Sequence, residues 1–152
     1  MISLDWLANH MEHSDTLALW LHQQFSHEFA QQSLADWQHE FSQGQYNGHW
    51  QCLIALEQGT LLGCAALASE DLSDRPDLYP WLACVFVTPQ ARGRGLAAQL
   101  IEGICMRARS TGVSTLYLHT QDQQAYYAKR GWTERERLHA WGRELSLMSR
   151  VL

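Results

Sequence analysis

One stretch, "VFVTPQARGRGLAAQLIEGI" over residues 85–104, narrows what this chain can fold into more than any other. It runs from an apolar, β-type segment through a proline and two glycines into Leu96, Leu100, Ile101 and Ile104, which recur at helical spacing. A buried strand must therefore turn almost at once into a helix that packs back on the sheet. Pro89 ends the strand ladder because it has no N–H to donate. Gly93 and Gly95 can take positive φ and let backbone approach a ligand closely. The helix start then exposes about four N–H groups and carries partial positive charge, a ready anion site. Arg92 and Arg94 add cationic donors suited to phosphate.

Other phosphate loops fit these letters poorly. Gly93-x-Gly95-x-x-Ala98 matches a loose dinucleotide fingerprint, but that pattern sets its first glycine at the strand end and an acid at the tip of the next strand. Here residues 88–92 intervene and the next strand ends in His119 and Thr120. A Walker loop would end in Gly-Lys-Ser/Thr, which is missing. The net charge of -5 argues against a nucleic-acid partner, whose phosphates need a basic face, and leans toward a cationic substrate.

Around this stretch the hydrophobic period changes several times. Residues 2–8 read as a short strand. Residues 12–25 read as a helix capped by Ser14 or Asp15, and 33–41 as a second helix capped by Ser33. "HWQCLIALEQGTLLGCAALASE" reads as two strands with Gly59 in their turn. "EDLSDRPDLYP" is a loop, and "WLACVFV" is a fourth strand, apolar throughout and so central. A helix begins near Gly95 and stops at Gly112. "STLYLHT" is a fifth strand, a helix spans 122–130 before Gly131, and two more strands flank residues 139–143. The order is β-α-α-β-β-β-α-β-α-β-β, within a length of 152 residues that suits one domain.

Cys52, Cys64, Cys84 and Cys105 form no CxxC pair and read as reduced, buried thiols. His10, His13, His22, His27, His39 and His49 are scattered, so no metal is expected. "MISLDWLANH" has no basic leader and no apolar run reaches membrane length, so a cytoplasmic protein without a membrane partner is expected.

Residues 87–100, "VTPQARGRGLAAQL", resemble motif A of the GNAT N-acetyltransferase superfamily, whose core is Q/R-x-x-G-x-G/A. Registers 90–95 and 92–97 both fit; the second puts Leu100 at the usual helix position and is adopted. "DRPDLYPWLACVFVTPQARGRG" with "LYLHTQDQQAYYAKRGW" also resembles a bacterial subgroup of that superfamily. The resemblance implies an α/β (α+β) fold with a mixed, mostly antiparallel sheet of six to seven strands and about four helices. It implies transfer of an acetyl group from acetyl-CoA to a primary amine on a small molecule, a peptide N-terminus or a lysine, by direct attack in a ternary complex. The pyrophosphate would lie on the amides of Gly93, Arg94, Gly95, Leu96, Ala97 and Ala98, with the Arg92 and Arg94 side chains nearby. Val85, Phe86 and Val87 would pair with the pantetheine arm, and the thioester would sit in a V-shaped gap between strands four and five.

"AYYAKRGW" resembles motif B, which places Tyr127 toward the sulfur as the acid. Tyr126 lies about 100° away around the helix. Where many relatives carry Asn, this chain has Thr120, whose hydroxyl can also contact the coenzyme. Several relatives have Glu early in strand four; here Trp81, Leu82, Ala83 and Cys84 offer no carboxylate. His119 is the candidate base, while Glu70, Asp71 or Asp77 could attract a cationic acceptor or relay protons. Trp20 and Trp37 lie on the helices that wall the acceptor in the family, Trp81 is expected at the entrance of the gap, and Trp132 and Trp141 against the tail strands. Homodimers are common among such proteins. The alternative is a non-catalytic acyl-CoA-binding sensor, which would keep the loop but need no acid at Tyr127.

Overall fold

The computed structural model describes residues 1–25 and 32–152; His27 lies outside the described residues. Strands β1 (Ile2–Trp6), β2 (Trp50–Glu57), β3 (Thr60–Ala68), β4 (Trp81–Val87), β5 (Thr115–Thr120), β6 (Thr133–Ala140) and β7 (Arg143–Val151) form one sheet in the order β1-β2-β3-β4-β5-β7-β6. Every neighbouring pair is antiparallel except β4 and β5. Helices α1 (Ser14–Phe25), α2 (Leu34–Asn47), α3 (Leu96–Ser110) and α4 (Gln124–Ala128) complete the α/β fold expected from the sequence.

Strand alternation divides the core between the two faces of the sheet. Leu53, Ala55, Ala65, Leu82, Leu116 and Leu118 face α3 and its buried Leu100, Ile101 and Ile104. Cys52, Ile54 and Cys64 face Leu17 and Leu21 of α1 and Trp37 and Phe41 of α2. Both tight hairpins have positive φ at two consecutive residues, Gln58 and Gly59, then Trp141 and Gly142, which matches the twist of the strands they join.

Several boundaries depart from the expected ones. β1 stops at Trp6, where residues 7–9 tighten into a 3-10 turn. Ser14 is not a cap but the first, buried residue of α1, because a 3-10 turn over 11–13 leads into the helix. α2 continues past Phe41 to Asn47. Its Gly44 allows this, since a Cβ there would lie 2.5 Å from Trp50 Cβ, and Gly48 at φ 79° ends the helix. α4 is shorter than the expected 122–130, because the Thr120 hydroxyl accepts the Gln123 N–H at 3.1 Å and draws the preceding residues into a turn.

Candidate active site

β4 and β5 run parallel but pair at one register position, Trp81 with Tyr117, next to the bond from the Tyr117 N–H to the Pro80 carbonyl at 3.1 Å. Beyond that point they part, and the cause lies in β4. Between the pairs Ala66–Ala83 and Cys64–Phe86, β4 advances three residues against two in β3. This is a bulge, with Cys84 at φ 52° and its carbonyl accepting from Cys64 Sγ at 3.2 Å. Past the bulge β4 is pressed onto β3: a Cβ on Gly63 would lie 2.6 Å from the Phe86 carbonyl and 3.2 Å from Val87 Cα. The Phe86 ring meets Trp20 of α1 at 6.0 Å. Val85, Phe86 and Val87 thus turn one backbone edge toward the widening gap rather than toward a partner strand in β5.

The glycine-arginine loop follows directly. A 3-10 turn over Pro89–Ala91 leads to extended Arg92; Gly93 has φ 83° and Gly95, the cap of α3, φ 74°. A Cβ at either glycine would meet nothing within 4 Å, so backbone conformation rather than crowding requires them. The first i→i-4 bond of the helix is Gln99 N–H to Gly95, so the amides of Leu96, Ala97 and Ala98 precede the ladder. The Leu96 side chain anchors this start in the core at 2% exposure. Both arginines have protein partners: Arg92 Nε donates to the Val87 carbonyl at 3.2 Å, and Arg94 Nη1 lies 3.3 Å from Glu57. Their charges stay beside the helix start while their forks also brace the loop.

The diverging strands enclose a cleft of about 570 Å³. Its walls include Leu82, Ala83, Cys84 and Val85 from β4 and Leu118, His119 and Thr120 from β5, with Tyr127 closing one side. Tyr127 belongs to the α3 face, in edge-to-face contact with Trp132 at 6.0 Å and Tyr126 at 5.2 Å. Burial, helped by neighbouring Tyr126, pushes its phenol up to about 12. Tyr126 itself packs under the Arg130 guanidinium at 3.7 Å. Thr120 lines the cleft while its hydroxyl oxygen serves the turn into α4.

His119 reaches the cleft from the opposite face. Its ring centre is 5.9 Å from that of Trp81 and 5.5 Å from that of Trp141, and its Nε2 is 2.9 Å from Asp71 Oδ2. Both side chains are only 8% exposed. The three acids of the preceding loop therefore separate. Asp71 enters the cleft, Asp77 pairs with Arg75 at 3.1 Å in solvent, and Glu70 lines a second cavity of about 450 Å³ between α2 and that loop. Trp37 and Asp71 border both spaces. Trp81 is fully buried where the strands meet instead of standing at the entrance, and Trp141 faces His119 as well as the tail strands. The pairing of Asp71 with His119, and the part of Trp141, had no local signal in the sequence.

Among the described residues, no three His, Cys, Asp or Glu side chains gather as metal ligands, and no helix is long and apolar enough to cross a membrane.

A sheet opened in this way defines a fold class, shared with an N-acetylglutamate synthase and an N-acetyltransferase that were each solved in complex with coenzyme A. Within it, the chain belongs to the acetyltransferase (GNAT) family, whose model matches residues 14–132. An "IAA acetyltransferase" of Azospirillum brasilense is 37% identical over 87 residues, 55% of this chain and 54% of that one. An "amino-acid acetyltransferase" of Neisseria meningitidis is 34% identical over 79 residues, 52% of this chain and 17% of that one. The chain thus spans about half or less of the length of these relatives. Among solved structures, N-acetylglutamate synthase of Neisseria gonorrhoeae, in complex with coenzyme A and N-acetyl-glutamate, superposes with a TM-score of 0.69 at 23% identity, over 100% of this chain and 35% of that one.

Proposed function

We propose that this chain moves an acetyl group from acetyl-CoA to a primary amine by direct attack in a ternary complex. The observation that carries the proposal is the placement of two backbone features next to each other: the edge of β4 past Cys84, which has no partner strand in β5, and the start of α3 after Gly95, whose Leu96, Ala97 and Ala98 amides precede the helical ladder. The first suits the amides of a pantetheine arm, the second its diphosphate. In this reading Gly93, Arg94, Gly95, Leu96, Ala97 and Ala98 supply N–H donors, and Arg92 and Arg94 add charge. The pairing of β4 with the arm directs the thioester into the cleft, between Tyr127 and His119.

Acyl transfer there needs a base for the ammonium and help for the departing sulfur. A phenol raised to about 12 stays protonated at neutral pH and can donate a hydrogen bond to that sulfur. Complete proton transfer to a thiolate of ordinary basicity, about 8.5, would run uphill. Tyr127 therefore acts as a donor that stabilises the leaving group. Asp71 gives the acceptor side of the cleft negative charge, which suits a cationic amine. The relatives' names add α-amino acids to the amines worth testing.

Thiol release from acetyl-CoA, measured over a panel of alkylamines, amino acids and short peptides, tests the reading. Turnover on at least one amine, reduced about 10–100-fold by Tyr127→Phe, is expected. Tight coenzyme binding without turnover on any amine would instead favour an acyl-CoA sensor.

A further inference from the structure

The sequence leaves the base unassigned between a histidine and three loop acids; the geometry points to a pair. We infer that Asp71 is a positioning residue that, with His119, forms the proton-accepting unit of the cleft. This rests on the acetyltransfer reading above and names the part of the site that reading leaves open.

The two groups come from distant parts of the chain, the loop after β3 and the end of β5, and meet at 2.9 Å with both side chains 8% exposed. Burying a carboxylate and an imidazole is unfavourable unless each supports the other. Both residues line the cleft, so the pair is within reach of a molecule held there. Trp81 and Trp141 both pack against the imidazole, in edge-on and tilted ring contacts. Strand alternation puts His119 on the face opposite Tyr127, so a thioester held in the cleft has the base on one side and the phenol on the other. The other titratable or charged groups lining this space, among the described residues, are Cys84 from β4, Asp122 and Tyr127 at and before α4, and Arg143 at the start of β7. Asp122 and Arg143 are exposed, and Arg143 donates to Gln121 at 2.8 Å.

The step balances. His119 takes one proton from the acceptor ammonium, and the resulting imidazolium is stabilised by the adjacent Asp71 carboxylate. The freed nitrogen lone pair forms the N–C bond to the acetyl carbon as the C–S bond breaks. The second proton of the nitrogen passes to the departing sulfur, with Tyr127 donating a hydrogen bond to it. The products are the amide, the free thiol and a proton that His119 returns to solvent.

The test compares wild type, Asp71→Asn, Asp71→Glu, His119→Gln and the Asp71→Asn/His119→Gln double variant, reading kcat, both KM values and the pH profile of kcat/KM on an amine that wild type acetylates. Asp71→Asn should lower kcat about 10–100-fold, leave KM for acetyl-CoA within about twofold, and move the acidic limb down by about one pH unit. Asp71→Glu should restore part of the rate and of the limb. The double variant should be no slower than His119→Gln alone, as for residues that act as a unit. An unchanged limb in Asp71→Asn, a higher acceptor KM at wild-type kcat, or losses that multiply in the double variant would each overturn the pair while leaving acetyl transfer intact. Wild-type protein that turns over no amine overturns the underlying reading and this inference with it.

Discussion

At the scale of single residues, the two loop glycines make the sharpest test of the coenzyme grip. Gly95 has φ 74°, and a Cβ there meets nothing within 4 Å. Replacement with alanine should therefore act through backbone strain, lowering stability by about 1–2 kcal/mol in urea unfolding. Gly95→Glu adds a negative charge where the diphosphate would lie, and titration calorimetry should show CoA affinity reduced at least about 10-fold. Affinity equal to wild type would remove the loop from the site. Tyr127 offers an independent reading. Its phenol, raised by burial to about 12, should be the last of the five tyrosines to ionise, and Tyr127→Phe should remove that late step from the ultraviolet titration. The sign follows from the raised value: the neutral phenol supports the fold below about pH 10, and that support is lost as pH climbs toward 12. The glycine turn before α3 and the place of Tyr127 beside the cleft were legible in the sequence because each is local, the first from its spacing and the second from the resemblance of residues 125–132 to a family motif; the roles given to them are the proposal above. The Asp71–His119 contact was not legible, since a loop carboxylate and a strand histidine far along the chain share no periodic pattern.

At the scale of elements, hydrophobic period gave the order of strands and helices, while boundaries shifted where 3-10 turns, a close-packed glycine or a side-chain hydrogen bond intervened. Ser33 is the clearest agreement: its hydroxyl accepts the Asp36 N–H at 3.1 Å while Asp36 returns to the Ser33 N–H at 3.2 Å. Ser33→Ala should cost about 1 kcal/mol, read as a lower urea midpoint at unchanged slope. Thr120 shows the opposite case, where one hydroxyl bond to Gln123 shortens a helix that composition alone extends. The β4 bulge was the least legible element, because "WLACVFV" reads as an ordinary buried strand and positive φ at Cys84 leaves no mark in composition. Gly63 was the available hint, an isolated glycine inside a strand pattern, where close backbone approach is the usual reason. Gly63→Ala sets a methyl against the Phe86 carbonyl and Val87 Cα, neither of which can rotate away. It should lower stability by about 1–3 kcal/mol and weaken coenzyme binding together, since the β4 edge moves with the clash. Loss of stability at wild-type affinity would detach that edge from the coenzyme.

At the scale of the molecule, what matters is that one core fixes both halves of the proposed grip. α3 is held against β2, β3 and β4 through Leu96, Leu100, Ile101 and Ile104, and its last turn is tied back where Arg107 lies over the Trp6 ring at 4.1 Å. Arg150 of β7 reaches Glu102 on the same helix at 2.5 Å, so the far side of the sheet is linked to it as well. The helix start therefore cannot shift relative to Val85, Phe86 and Val87 without disturbing the core, and a ligand that spans both should stabilise the fold as a whole. By mass action, coenzyme A at a hundred times its Kd adds about 2.7 kcal/mol, which for a chain of this size raises Tm by on the order of 5–10 °C. Pantetheine, which keeps the arm but lacks the diphosphate, makes the deciding comparison. If the start of α3 anchors the ligand, pantetheine at equal concentration should give little or no shift, and Gly95→Glu should reduce the coenzyme A shift to the same level. Equal shifts from the two ligands would place the binding energy in the strand edge alone and leave the glycine turn without its proposed purpose.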